Sequence, residues 1–288
     1  MTSFKRILFP VDFSDGSKAI APFVLSMAQR YHASVIVLHA IQPIPPLYAG
    51  MNTVYPEAFD FAGAQEDVKI RLRAFAAAEL PKIATDIVVE VGDAAAVIVS
   101  TAESRYADLI AMPTHGYGPF RRFLLGSVTA KVLHDSQVPV WTSAHAPESS
   151  HRAHPKPRHI LTALDLKPES RATLEAAVEL AKECGATLEM LHVAPEGEIT
   201  PDKSETEMRE MLAEVAVENA ENVEAEGGLD LEVVTDGSNI AKLVRSVATR
   251  KRADLVVIGR GVIQSPLGGF KTNAYSIIRE SPCPVLSI

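Results

Sequence analysis

A small set of residues stands at a spacing that would bind an anion. Pro113-Thr114-His115-Gly116 is followed, after nine residues, by Gly126-Ser127-Val128-Thr129. Gly116, Gly118 and Gly126 would let main-chain amides approach a bound group closely. A helix starting at Ser127 would offer the unpaired amides of Ser127, Val128 and Thr129 and the positive end of its dipole, with two hydroxyls as added donors. Arg121 and Arg122 put local positive charge in the same loop. Asp12 follows a short apolar run; it could accept hydrogen bonds from a base or sugar, or only anchor the following turn. Chemistry on a phosphate needs a positioned base or a metal. No second carboxylate or histidine has the spacing to supply one, and there is no Walker-type lysine motif.

The elements that must hold these residues alternate strand and helix. Ile7–Val11 and Ser34–Ala40 are short β-branched runs of strand length. Between them Ile20, Phe23, Val24, Met27 and Ala28 fall on one helical face. Ser14 stands at the N-cap position, with Asp15 in the first turn. Further helices are expected over Ala64–Leu80, Ala94–Arg105 and Ser127–His134, and strands over Ile87–Val91, Asp108–Met112 and Val138–Thr142. That order gives a doubly wound, five-stranded, mainly parallel sheet with helices on both faces. Its ligands bind beyond the carboxyl ends of the strands, where the crossover direction switches. Asp12, Ala40 and Pro113-Thr114-His115-Gly116 all fall there.

The chain then repeats itself. Asp12 and Asp165, Ser17 and Ser170, Ala33 and Ala186, and His39 and His192 are each separated by 153 positions. Ala107-Asp108-Leu109 and Ala253-Asp254-Leu255 are separated by 146, so the second copy is shorter in its middle. Strands are expected at Ile160–Leu164, Thr187–Val193, Leu231–Thr235, Asp254–Ile258 and Val285–Ile288. The expected organisation is a first domain over 1–143, a linker over 144–157 and a second domain over 158–288. The linker is rich in proline and small polar residues. Its His145, His151 and His154 read as solvated, because no rigid element fixes them for a metal.

Composition narrows the function classes. The chain has 288 residues, 47 % of them apolar, ample to offset the entropy of ordering. A net charge of −8 argues against nucleic acid or an anionic membrane as a nonspecific partner. No apolar run reaches the roughly 20 residues that span a bilayer, and the start shows no signal peptide. Cys184 and Cys283 fit no disulfide framework or zinc site and read as core filler in a reducing, cytoplasmic compartment.

Phe9-Pro10-Val11-Asp12-Phe13-Ser14, Leu38-His39-Ala40 and Thr114-His115-Gly116 with Gly126-Ser127-Val128 make the sequence resemble the universal stress protein family, in tandem form. The family signature is Gly, two residues, Gly, nine residues, Gly, then Ser or Thr. Gly116, Gly126 and Ser127 match its later fixed positions; the first glycine is Pro113 here. Proline has no amide hydrogen, so a main-chain contact to ribose or phosphate is lost or moved. The resemblance implies two Rossmann-like domains and, in one branch of the family, ATP. Adenine would lie near Pro10, Val11, Asp12 and Ala40. The phosphates would lie on Gly116, Gly126, Ser127, Val128 and Thr129, with Met112, Pro113 and His115 completing the nucleotide site. Any Mg²⁺ would be held largely by phosphate and water.

The second copy keeps Asp165 but carries Gly259-Arg260-Gly261, Gly268-Gly269 and Lys271-Thr272 where the first has its loop. It reads as a degenerate site, with a different anion pocket built on Arg260, Lys271 and Thr272 as the competing reading. Three functions follow: a nucleotide-binding regulatory protein; a slow ATPase or autokinase with Ser127 or Thr129 as acceptor; and an interaction module acting by dimerisation. His39 and His192 are expected to make structural hydrogen bonds. Tyr48, Met51 and Tyr55 form a lid or a surface loop. The acidic stretch Glu205–Glu226 reads as an exposed helix with an apolar stripe at Met208, Met211, Leu212 and Val215. By the same resemblance the last strands of the two copies meet edge to edge, with Trp141 buried at the seam, since a bare apolar edge invites pairing. The partners expected are thus a nucleotide, the intramolecular domain pair and a homodimer.

Overall fold

The computed structural model describes residues 4–42, 61–116, 125–143, 156–194, 201–218, 229–235, 239–260 and 272–288. The first copy runs β1 (Arg6–Pro10), α1 (Asp15–Tyr31), β2 (Ser34–Ile41), α2 (Phe61–Glu79), β3 (Thr85–Val91), α3 (Ala94–Ser104), β4 (Leu109–Pro113), α4 (Ser127–Asp135) and β5 (Val140–Ser143). The second runs β6 (His159–Leu164), α5 (Ser170–Cys184), β7 (Thr187–Ala194), α6 (Pro201–Glu218), β8 (Leu229–Thr235), α7 (Ile240–Arg250), β9 (Leu255–Ile258), α8 (Thr272–Glu280) and β10 (Val285–Ser287).

α1 starts where the sequence says it should. Ser14 is its N-cap, extended, with its side chain accepting from the Ser17 amide. The helix stops at His32, which takes the left-handed conformation at φ 50. Three strands start later than expected, because a polar side chain takes the main-chain amides at each. Asp108 is not a strand residue; its carboxylate accepts the Lys5 amide at 2.6 Å and the Arg6 amide at 3.1 Å, fastening the entry of β1. Asp254 does the same for Arg158 and His159, at 2.8 and 3.1 Å. β5 begins at Val140 rather than Val138, because the Val138 amide donates to the Ser136 hydroxyl at 3.0 Å instead of to a strand.

The strands form one ten-stranded sheet, in the order β3-β2-β1-β4-β5-β10-β9-β6-β7-β8. Neighbours are parallel except β5 and β10, which pair antiparallel with Trp141 opposite Leu286. The seam repeats each contact about a pseudo-two-fold axis. Thr142 donates its hydroxyl to Val285 O, and Ser287 donates to Val140 O at 3.1 Å. At the helix ends, Tyr31 donates to the Glu183 carboxylate at 2.5 Å while the Arg30 guanidinium lies 2.8 Å from Cys184 Sγ. The 153-residue offset makes those two contacts mirror images.

Both cores run across the seam. One face of the sheet packs α1, α2, α5 and α6 through residues such as Phe23, Leu72, Leu174 and Met208. The other packs α3, α4, α7 and α8 through Ile98, Val132, Val244 and Ile277. Cys184 and Cys283 are both buried free thiols. Met208 and Val215 of α6 are fully buried, with Met211 and Leu212 packed beside them. Residues 219–226 of the acidic stretch, the linker histidines, and Tyr48, Met51 and Tyr55 lie outside the described residues. Among the described residues, no helix is long and apolar enough to cross a membrane.

Candidate functional site

β1 ends before its neighbours do, and that opens a gap. Its ladder with β4 stops at Leu8 opposite Ile110, and with β2 at Pro10 opposite Leu38. Successive residues of a strand turn their main-chain groups to opposite sides. Ser34 donates to Lys5 O and Leu38 O accepts from Val11, so the even residues of β2 face β1. Ala40 therefore turns its N–H and C=O into the space beyond the end of β1. On β4, the Ile110 and Thr114 amides go to Pro139 O and Ser143 O, so residue 113 faces the same gap. Proline costs the sheet no hydrogen bond there. Its carbonyl already accepts the Thr129 hydroxyl at 3.0 Å. One wall of the gap is a donor and acceptor edge; the opposite wall has no donor.

Asp12 divides its two possible roles between its two oxygens. Oδ1 accepts the Ser14 amide at 2.9 Å, the Ser14 hydroxyl at 2.5 Å and the Ser17 hydroxyl at 2.7 Å. That oxygen anchors the turn into α1. Oδ2 leans toward the following loop: a Cβ on Gly116 would stand 2.5 Å from it. Only glycine allows this approach. Phe13 holds the chain between them in a left-handed conformation, φ 63, which costs a bulky residue on the order of 1–2 kcal/mol. Its ring is held by His39 at 5.0 Å and by the Arg71 guanidinium at 4.4 Å. His39 in turn donates from Nδ1 to Val11 O at 2.6 Å, and His192 repeats this toward Leu164 O at 2.9 Å.

α4 opens on the other side of the gap. Gly126 is its N-cap, extended, and provides no side-chain cap. Its amide donates to Thr114 O at 2.8 Å, folding the loop back on itself. A Cβ at 126 would press on Thr114 O and His115 Cα, both at 3.3 Å. Ser127 is exposed and Thr129 is buried with its hydroxyl committed to Pro113. Of the two candidate acceptor hydroxyls, only that of Ser127 is open.

These parts enclose a cleft of about 200 Å³. Pro10 lines it from β1 and Val11 and Asp12 from the turn after it, Ala40 from β2, Met112 and Pro113 from β4, and Gly116, Gly126, Ser127, Val128 and Thr129 from the loop and α4. Of the residues named from sequence, His115 does not line it. Its ring is buried, with Nδ1 3.1 Å from the Thr114 hydroxyl, and it shapes the loop. Sequence reasoning missed Ala94 and Ile98, which bring α3 over the cleft. The pointer to them was the run Ala94-Ala95-Ala96 at a helix start, small enough to leave room beside a strand end. Gly118, Arg121 and Arg122 lie outside the described residues. Among the described residues, no three His, Cys, Asp or Glu side chains cluster to hold a metal.

The second copy has spent the same positions differently. Asp165 Oδ1 accepts the Ser170 hydroxyl at 2.6 Å, but Oδ2 faces the Lys167 ammonium at 3.4 Å. Arg260 does not serve an anion pocket, which corrects that competing reading. Its guanidinium leaves the second domain and donates to Ser136 O at 2.7 Å and Val138 O at 2.9 Å, with Leu133 O at 3.4 Å. Lys271 lies outside the described residues.

The model of the universal stress protein family matches residues 3–143 and again 156–288. The chain belongs to this family, as a tandem member. A universal stress protein of Thermus aquaticus is 34 % identical over 137 residues, 48 % of this chain and 96 % of that protein. One of Synechocystis sp. is 31 % identical over 137 residues, 48 % of this chain and 83 % of that one. The crystal structure of a universal stress protein from Archaeoglobus fulgidus covers 100 % of this tandem chain and 97 % of its own, with a TM-score of 0.72 at 21 % identity. That last likeness is one of fold.

Proposed function

We propose that the first domain of this universal stress protein binds ATP in the cleft at the end of β1 and acts in the cytoplasm as a nucleotide-binding regulatory protein. The observation that carries this reading is the combination of one edge of strand polarity with one uncapped helix start across the same gap. Ala40 N–H and C=O suit the edge of an adenine. Val11, Met112 and Ile98 supply apolar walls for its faces. Asp12 Oδ2 suits a ribose hydroxyl. The amides of Gly116, Ser127, Val128 and Thr129 suit the phosphates, where a helix N-terminus favours negative charge, and Gly126, its own amide given to Thr114 O, leaves the approach open. Mg²⁺ would be carried by the phosphates and water, as magnesium usually is. The fit is specific in one respect: a side chain at 116 would close the approach to Asp12.

Binding rather than turnover follows from the groups at hand. Asp12 is anchored through Oδ1 and turns Oδ2 to the ribose end, and the Thr129 hydroxyl is committed to Pro113 O, so neither stands as a base for water at the phosphates. The test is calorimetric titration of the full chain with Mg-ATP, together with analysis of nucleotide released from protein purified without any added. One site per chain and no phosphate release over hours are the expected results. No binding at millimolar Mg-ATP and no retained nucleotide would overturn the reading in favour of an interaction module. Steady phosphate release would favour the slow ATPase.

A further inference from the structure

α4 is the helix whose first turn lines the cleft, and its other end is held by a residue of the other domain. The last carbonyls of any helix lack partners within it. Here the Arg260 guanidinium provides them: Leu133 O, Ser136 O and Val138 O all lie in the last turn or just past it. Arg260 is fixed at its root, since its amide donates to Ile288 O at 2.9 Å, the counterpart of the Thr114 bond to Ser143. Burial pulls its pKa down only to about 10, so it remains a cation at neutral pH, suited to the negative end of the helix. Tyr275 adds a second contact from the same domain, donating to Ala130 O at 3.2 Å. Thr114 occupies the matching position in the first domain, and its hydroxyl donates to Ser143 O within that domain at 3.3 Å.

We propose that Arg260 is a positioning residue: through α4, the second domain holds the first-turn amides of Ser127, Val128 and Thr129 in place toward the cleft. This rests on the reading of that cleft as a nucleotide site. α4 has 9 residues, a rigid rod about 13 Å long. Its start carries no side-chain cap and is held by the Gly126–Thr114 and Thr129–Pro113 bonds, while Arg260 holds the far end. By linkage, whatever Arg260 contributes to binding, bound nucleotide returns to the seam.

The experiment compares the full-length wild type with Arg260→Gln, Arg260→Lys and Ser287→Ala. Ser287→Ala removes a seam bond to Val140 O close to the Arg260 contacts but touches none of them, and so reports generic weakening of the seam. Each is titrated with Mg-ATP, and hydrogen exchange of the amides in 127–131 is followed without nucleotide. Arg260→Gln should weaken Mg-ATP about tenfold, within the usual range of coupling between sites, and should speed exchange in the first turn. Arg260→Lys should fall between, since an ammonium cannot span three carbonyls. Ser287→Ala should change neither readout. Wild-type affinity and wild-type exchange in Arg260→Gln would overturn the proposal, as would equal losses in Ser287→Ala. If Arg260→Gln does not fold, Arg260→Lys carries the same comparison. If the wild type itself takes no nucleotide, the functional reading falls, and the exchange data alone decide whether Arg260 positions α4.

Discussion

Trp141 lies flat on Phe23, with ring centroids 3.5 Å apart and planes 8° from parallel. The stack joins the last strand of the first domain to its first helix, one strand away from the second domain. Leu286 sits opposite Trp141 on β10 and belongs to the same core. The indole N–H has no hydrogen-bond partner among the described residues. What holds the residue is therefore area and stacking. Trp141→Ala should cost about 3–5 kcal/mol, read from urea midpoints. Trp141→Asp should separate the domains, seen as an increased radius in small-angle scattering. Trp141→Phe should be nearly neutral. An aspartate variant with unchanged radius and stability would contradict the role of this residue at the seam.

Gly116→Ala tests the cleft itself. The added methyl would meet Asp12 Oδ2 at 2.5 Å, and the carboxylate cannot swing freely because Ser14 and Ser17 hold its other oxygen. Loss of at least tenfold in Mg-ATP affinity is expected, roughly the worth of one hydrogen bond to a charged group. Thermal stability without nucleotide should also fall, because the overlap with a held carboxylate strains the loop.

Pro113→Ala runs the other way. It restores an N–H on the wall of the gap that lacks a donor, and β5 pairing is untouched because that amide position faces away from it. Affinity for Mg-ATP should rise several-fold, again on the scale of one added hydrogen bond. A weaker site in this variant would mean that the fixed φ of proline matters more than its missing hydrogen.

Alkaline stability should depend on Cys283. Burial pushes its thiol from 9.0 up to about 12. The folded chain then keeps a proton that the unfolded chain releases from about pH 9. The stability is fully present below pH 9 and is lost as pH rises toward about 12, on the order of 4 kcal/mol over the whole window. Tyr31 shifts in the same direction, through burial and its bond to Glu183. Urea midpoints of wild type should fall more steeply between pH 8 and 10.5 than those of Cys283→Ala. Parallel profiles would exclude this origin.

Much of the architecture could be read from residue spacing because the physics that sets it is local. The stripe Ile20, Phe23, Val24, Met27, Ala28 places α1 and its buried face. The matched aspartates and histidines of the two copies place the repeat. The cleft could be read because switch-point geometry depends only on strand order, and Asp12, Ala40 and Gly116 each end or follow a strand. What stayed hidden depends on contacts distant in the chain. Arg260 stands in a glycine loop and looks like an anion donor; its acceptors lie more than 120 positions earlier, across a domain boundary. Ile98 faces the cleft only because α3 crosses behind it. The true starts of β1 and β6 depend on Asp108 and Asp254, whose carboxylates stand in for a neighbouring strand.

The antiparallel seam has a directional effect. Because β10 runs against β5, the carboxyl-end rim of each half adjoins the amino-end rim of the other. The two mouths open at opposite ends of the molecule, so no single ligand can bridge them. Coupling between the halves runs lengthwise through the shared sheet or along α4 under Arg260, and it acts with equal strength in both directions.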